Sequence, residues 1–224
     1  MARYDRLTVY NTIIKSGLVP LFYEPDVETA CKVAEACAAG GAQVLEFTNR
    51  GEKALPVFIE LNNTLQKRGL PIILGVGTVV DAPTAALFIA YGANFVVGPV
   101  FNPEISHLCH RRKIAYIPGC ATASEISNAE EAGAEIVKLH PASNLGGPAF
   151  LKALLAPMPW SKIMASGGIE PVREEVEAWF EAGAACVGMG GSLLRRDWIA
   201  DGKFNDIRDA VSRVVGWINE LQRR

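Results

Sequence analysis

The sequence predicts a closed (β/α)8 TIM barrel, and three observations carry that prediction. Short runs that are apolar on both faces recur eight times along the 224 residues, as strands buried between two layers of side chains require. Eight segments with helical spacing or helix-capping residues follow them. A Gly-Ala pair leading directly into an apolar run recurs at Gly41, Gly92, Gly133 and Gly183, each a helix stop two β/α units from the next. An open doubly wound sheet shares the alternation, but the count of eight strands favours the barrel. A chain of this length fits one such domain, residues 1–224.

In order, residues 3–16 read as a lead-in helix closed by Gly17. Residues 18–23 are a continuous apolar strand. Asp26 is placed to N-cap a helix through Ala39, with Glu28 in its first turn and Gly40-Gly41 past its end. Residues 43–48 form the second strand and 52–67 its helix; 71–76 form the third strand, followed by a helix from an Asp81 cap to Tyr91. The fourth strand is 94–97 with helix 103–112, and the fifth 114–117 with helix 123–132. The sixth, within 135–142, carries a lysine at its end and is stopped by Pro141; helix 147–155 follows. Strand 162–165 with helix 171–181 and strand 186–189 complete the set. A last helix over 206–221 keeps Ile207, Val211, Val214, Val215 and Ile218 at helical spacing.

Composition excludes several classes of function. Half the residues are hydrophobic and 21% are charged, ordinary for a soluble globular protein with a sizeable core. A net charge of −2 argues against nucleic acid or an anionic membrane as partner. No apolar run reaches membrane-spanning length, and Met1 to Asp5 lack the apolar core of a signal peptide. Five cysteines, odd in number and without a Cys-x-x-Cys pair, point to reduced thiols in the cytoplasm.

Barrel enzymes place their chemistry at the C-terminal ends of the strands. Two ionisable groups interrupt apolar strands there, Glu46 on the second and Lys138 on the sixth. Burial penalises the charged form of an amine, and a neutral amine attacks ketones. Glu46 would face Lys138 across the barrel mouth and move protons; the structural alternative is a buried ion pair without chemistry. Ser166-Gly167-Gly168 and Gly190-Gly191-Ser192, at the ends of the last two strands, let backbone N–H groups approach an anion such as phosphate, aided by a following helix N-terminus. Arg50 suits a carboxylate, because a guanidinium matches both oxygens, and Thr78 would help orient the same group. His107 and His110, three apart with Cys109 between them, lack an evident third metal ligand and read as ordinary surface histidines.

Glu46 with Arg50, Gly75-Val76-Gly77-Thr78, Ile117-Pro118-Gly119, Val137-Lys138-Leu139-His140-Pro141-Ala142, Ser166-Gly167-Gly168-Ile169 and Gly190-Gly191-Ser192, in this order, resemble the 2-keto-3-deoxy-6-phosphogluconate / 4-hydroxy-2-oxoglutarate aldolase family. The likeness runs from about Val19 to Leu194. It implies a metal-free, cofactor-free class I aldolase, commonly a homotrimer, acting on small-molecule keto acids with pyruvate as product. Lys138 would be the Schiff-base lysine and Glu46 the acid/base. Arg50 and Thr78 would hold the pyruvate carboxylate, Pro99 and Phe101 would line the pocket, and Gly167, Gly168, Gly191 and Ser192 would bind phosphate. His140 stands where phenylalanine is usual in that family, Ser166 where threonine is usual, and Tyr23 where many members carry a basic residue. Two other functions fit the same residues: a sugar-phosphate isomerase or epimerase using Glu46 as base, and a non-catalytic sugar-acid or phosphate-binding protein.

Overall fold

In the computed structural model, which describes residues 2–223, every strand ladder is parallel. The strands are β1 (Leu18–Phe22), β2 (Val44–Thr48), β3 (Ile73–Gly77), β4 (Phe95–Val97), β5 (Ala115–Ile117), β6 (Gly119–Cys120), β7 (Val137–Leu139), β8 (Ile163–Ser166) and β9 (Cys186–Met189). Their order in the sheet is β5-β4-β3-β2-β1-β9-β8-β7-β6. β5 and β6 are halves of one strand broken at Pro118. The first half pairs with β4 and the second with β7, so this strand closes the barrel. Proline brings no N–H to a ladder, which makes it a natural place for a strand to change partners. The Pro118 carbonyl still accepts from the Lys138 N–H at 2.8 Å.

Eight helices follow the strands: α2 (Val27–Ala39), α3 (Ala54–Lys67), α4 (Ala82–Ala90), α5 (Pro103–Arg112), α6 (Ala123–Glu131), α7 (Gly147–Leu155), α8 (Arg173–Glu181) and, after β9, α10 (Phe204–Leu221). Asp26 caps α2 and Asp81 caps α4 through the N–H groups of Thr29 and Thr84, at the positions expected from sequence. The lysine strand is shorter than expected, because the chain turns at once after Leu139. A five-residue helix, α9 (Arg196–Ala200), was not expected, since one turn is too short to show a period.

Strand alternation divides the core in two. One cluster lies between sheet and helices and contains Leu45, Phe47, Leu74, Val137 and Leu139. The other fills the barrel with Val19, Val44, Ile73, Phe95, Val97, Ile117, Ile136, Met164 and Cys186. α1 (Arg6–Ser16) closes the floor, adding Val9, Tyr10 and Ile13 to the inner cluster. The Tyr10 hydroxyl donates to the Tyr116 carbonyl and accepts from its N–H, both at 3.0 Å, which satisfies β5 at the plugged end. Only the C-terminal ends of the strands are left to face solvent across the mouth.

Candidate active site

Glu46 and Lys138 each lie two residues beyond an inner-core residue, Val44 and Ile136, so both project inward one layer above the apolar floor. Their strands, β2 and β7, are four steps apart by either route around the barrel. The carboxylate and the amine therefore arise from opposite walls. Glu46 is 1% exposed and Lys138 7%. Among the described residues they form no ion pair with each other, and Glu46 Oε2 has no hydrogen-bond partner. A buried carboxylate oxygen left unpaired is costly, so the pair is not an ordinary structural salt bridge. Glu46 lies beneath the cavity into which Lys138 opens and is not part of its lining. Gly77 makes room for it: a methyl group there would collide with Glu46 Oε1.

Lys138 opens into a cavity of about 280 Å³ shared with Arg50, His140, Gly168, Gly191 and Ser192. Arg50 Nε donates to Thr78 Oγ1 at 3.3 Å, so the two residues expected to hold a carboxylate meet. Thr78 has φ 59°, a left-handed backbone that a β-branched residue adopts at a cost of about 1–3 kcal/mol, which marks this turn as a strained element beside the site. Pro99 packs its carbonyl against Gly119, the neighbour of Lys138 in the ladder, while Phe101 is half-buried against the outer core. Neither lines the cavity around Lys138.

The glycine loops cross the mouth beside the lysine. Gly167 and Gly168 have φ 100° and 79°, conformations that glycine adopts without penalty. Among the described residues the N–H groups of Gly168, Gly191 and Ser192 donate to no other group, which leaves them available to an anion. Ser143 Oγ donates to the Gly168 carbonyl at 2.8 Å and Ser192 Oγ to the Ile169 carbonyl at 2.7 Å, tying the loops together. The helix dipole expected at the second loop is not there. Leu193 and Leu194 fold their N–H groups back onto the Gly190 carbonyl at 3.0 and 2.8 Å, and α9 starts only at Arg196. The second loop therefore offers turn amides, without a following long helix.

His140 approaches the Ser166 carbonyl through Nδ1 at 3.2 Å, and because a carbonyl only accepts, Nδ1 carries the proton and Nε2 is left an acceptor. Burial, with the Lys138 charge beside it, holds the imidazole below its usual range. The native state thus binds fewer protons than the unfolded chain just below pH 6.5, and stability falls as pH drops through that window. The expected result is that Tm declines from pH 7 to pH 5.5 less steeply in His140→Phe than in the unsubstituted protein. Equal slopes would contradict this role.

Other groups stand outside the site. His110 Nε2 lies 2.9 Å from the Gly133 carbonyl and His107 is exposed; no group of three metal-ligating side chains occurs among the described residues. All five cysteines are free and buried, and burial pushes the Cys109 and Cys120 thiols up to about 12. Sequence reasoning passed over Leu21, Ser143 and Glu170 at the site. It also passed over an adjoining cavity of about 700 Å³ that shares Leu21, Arg50 and Gly191 and adds Tyr23, Glu24 and Arg196. Arg196 sits in the unforeseen α9, so no pattern pointed to it.

The family model described as KDPG and KHG aldolase matches residues 9–210. The chain is 34% identical over 202 residues to a 2-dehydro-3-deoxy-phosphogluconate aldolase from Treponema pallidum, covering 90% of this chain and 93% of the relative. It is 33% identical to one from Haemophilus influenzae, covering 95% and 97%. It superposes with a TM-score of 0.82 and 29% identity on KDPG aldolase from Legionella pneumophila, over 91% of this chain and 96% of that one; that structure holds pyruvate captured as a covalent carbinolamine.

Proposed function

The chain belongs to the KDPG and KHG aldolase family, and on that premise we propose that Lys138 forms its Schiff base and Glu46 moves its protons. The protein is a class I aldolase, a carbon–carbon lyase. It cleaves a 2-keto-3-deoxy-6-phospho sugar acid, such as 2-keto-3-deoxy-6-phosphogluconate, or 4-hydroxy-2-oxoglutarate, to pyruvate and an aldehyde. The observation that carries the residue assignment is a buried amine on one wall, open to a cavity, facing an unpaired buried carboxylate on the other.

In this reading Lys138 Nζ attacks C2 of the keto acid, and loss of water leaves a protonated imine. Glu46 takes the C4 hydroxyl proton. The C3–C4 bond breaks, its electron pair flows into the imine to give an enamine, and the aldehyde departs. Glu46 returns its proton to C3, and water hydrolyses the imine to release pyruvate and regenerate the amine. One carboxylate serves both transfers because it alternates between protonation states. The imine is the electron sink. Arg50, braced by Thr78, holds the C1 carboxylate. The amides of Gly168, Gly191 and Ser192, with Gly167 shaping the loop, receive the phosphate, or the far carboxylate of the shorter substrate. Pro99 fixes the wall behind Lys138 through its contact with Gly119, and Phe101 packs against the outer core.

The protein works in the cytoplasm, which the unpaired buried cysteines support, and no helix among the described residues is long and apolar enough to cross a membrane. We assign it a homotrimer. Val80 and Val100, 53% and 56% exposed on loops joined by the Asn102–Val80 hydrogen bond, with Leu87 on α4 and Tyr91 at its C-cap one turn on, are the apolar surface that supports a subunit contact. A coupled assay of pyruvate release tests the activity: 6-phosphorylated 2-keto-3-deoxy acids or 4-hydroxy-2-oxoglutarate should turn over. Silence across the whole panel would overturn the reading.

A further inference from the structure

The larger cavity beside the reaction pocket has no role in the chemistry described so far, and its charges are unevenly spent. Its charged walls are Glu24, Arg50 and Arg196, and it meets the Lys138 cavity at Leu21, Arg50 and Gly191. Arg50 is committed to the substrate carboxylate and bonded to Thr78. The Lys138 cavity contributes an acid, Glu170, at the same rim as the glycine loops. A phosphate placed on the amides of Gly191 and Ser192 would bring close to two negative charges to a place with a carboxylate nearby and no cation to spare. Arg196 differs from its surroundings. Arg195 is held by Asp197 at 2.8 and 3.0 Å and stacked over Trp198, and Lys203 and Arg208 are paired with Asp201 and Asp209. Arg196 has no hydrogen bond or ion pair among the described residues and lines the cavity that Gly191 borders.

We propose that Arg196 is a specificity-determining residue that clamps the distal phosphate of the aldehyde half, so that the larger cavity is the subsite for the sugar-acid carbons beyond the cleaved bond. A guanidinium matches two phosphate oxygens at once and adds the charge that neutral amides lack. Glu24 Oε1 accepts from the Asp26 N–H at 2.9 Å, which holds its carboxylate on the cavity wall, where it can accept from hydroxyls of the same half. The proposal rests on the aldolase reading for its substrate, and concerns only the end of the molecule remote from the imine.

The test compares a 6-phosphorylated 2-keto-3-deoxy aldonate with the same aldonate lacking phosphate, in the full chain and in Arg196→Gln. Losing a hydrogen bond to a charged group should raise KM for the phosphorylated substrate by about tenfold to a hundredfold. kcat/KM for the unphosphorylated one should stay within about twofold, and pyruvate should still be trapped on the protein by borohydride. Arg196→Lys should recover part of the lost KM, since it restores charge without the planar fork. Competition by inorganic phosphate, read against pyruvate release from the unphosphorylated aldonate, should weaken in parallel. An unchanged KM for the phosphorylated substrate, or an equal loss with both, overturns the proposal. Failure of the unsubstituted protein to trap pyruvate would instead condemn the Schiff-base reading; the dissociation constant for inorganic phosphate, measured by calorimetry in both proteins, then decides the role of Arg196 by itself.

Discussion

Lys138→Met should leave a folded barrel without carbon–carbon lyase activity, with turnover lowered on the order of 10³–10⁶-fold, the range found when a covalent nucleophile is removed from a site that still binds. Methionine nearly matches the length of the lysine stem, and its side chain suits a position 7% exposed between the neighbours Gly119 and Met164. No partner is orphaned by the change, because the amine makes no ion pair among the described residues. Tm should therefore hold or rise while pyruvate release disappears. A variant that is stable and still releases pyruvate at more than about a tenth of the original rate would show that another group carries the covalent chemistry. Loss of activity together with loss of the folded state would leave the stable Lys138→Arg variant to decide, since arginine keeps the charge and forms no imine.

The second large effect is expected at Glu46. Glu46→Gln preserves the shape above Gly77, where there is no room for a bulkier neighbour, and removes only the capacity to take a proton. Turnover should fall by about 10²–10⁴-fold, the usual share of acid–base catalysis. Two readouts separate this from damage. Borohydride trapping of pyruvate should persist, because imine formation uses Lys138. Exchange of the pyruvate methyl protons with deuterated water should slow by the same factor as cleavage, because the same carboxylate moves both protons. Exchange at the original rate in this variant would remove Glu46 from the mechanism.

How far the sequence spoke for these sites differs from residue to residue. The buried, inward placement of Lys138 and Glu46 was legible because a charge within an apolar strand breaks a pattern, and alternation then sets the face on which it lies. The caps at Asp26 and Asp81 were legible because a carboxylate before a periodic run satisfies helix N–H groups by local chemistry alone. Strand lengths were not legible. The sixth strand is stated by its apolar run, but its end is set by where the chain turns after Leu139. The split of the fifth strand at Pro118 depends on which neighbour each half meets, a property of the closed sheet and not of the residues nearby. Phe101 shows the same limit: its place after the fourth strand was visible, whereas its side against the outer core is a matter of loop geometry. Arg196 was hidden by a helix of one turn. Thr78 was named from sequence, but its strain was hidden, because an unfavourable backbone leaves no trace in composition.

The most direct measurement is incubation of the protein with pyruvate and sodium borohydride, followed by mass analysis of its peptides. The account predicts one reduced three-carbon adduct per chain, on the peptide carrying Lys138. Recovery of unmodified protein, or an adduct on any other lysine, would contradict it.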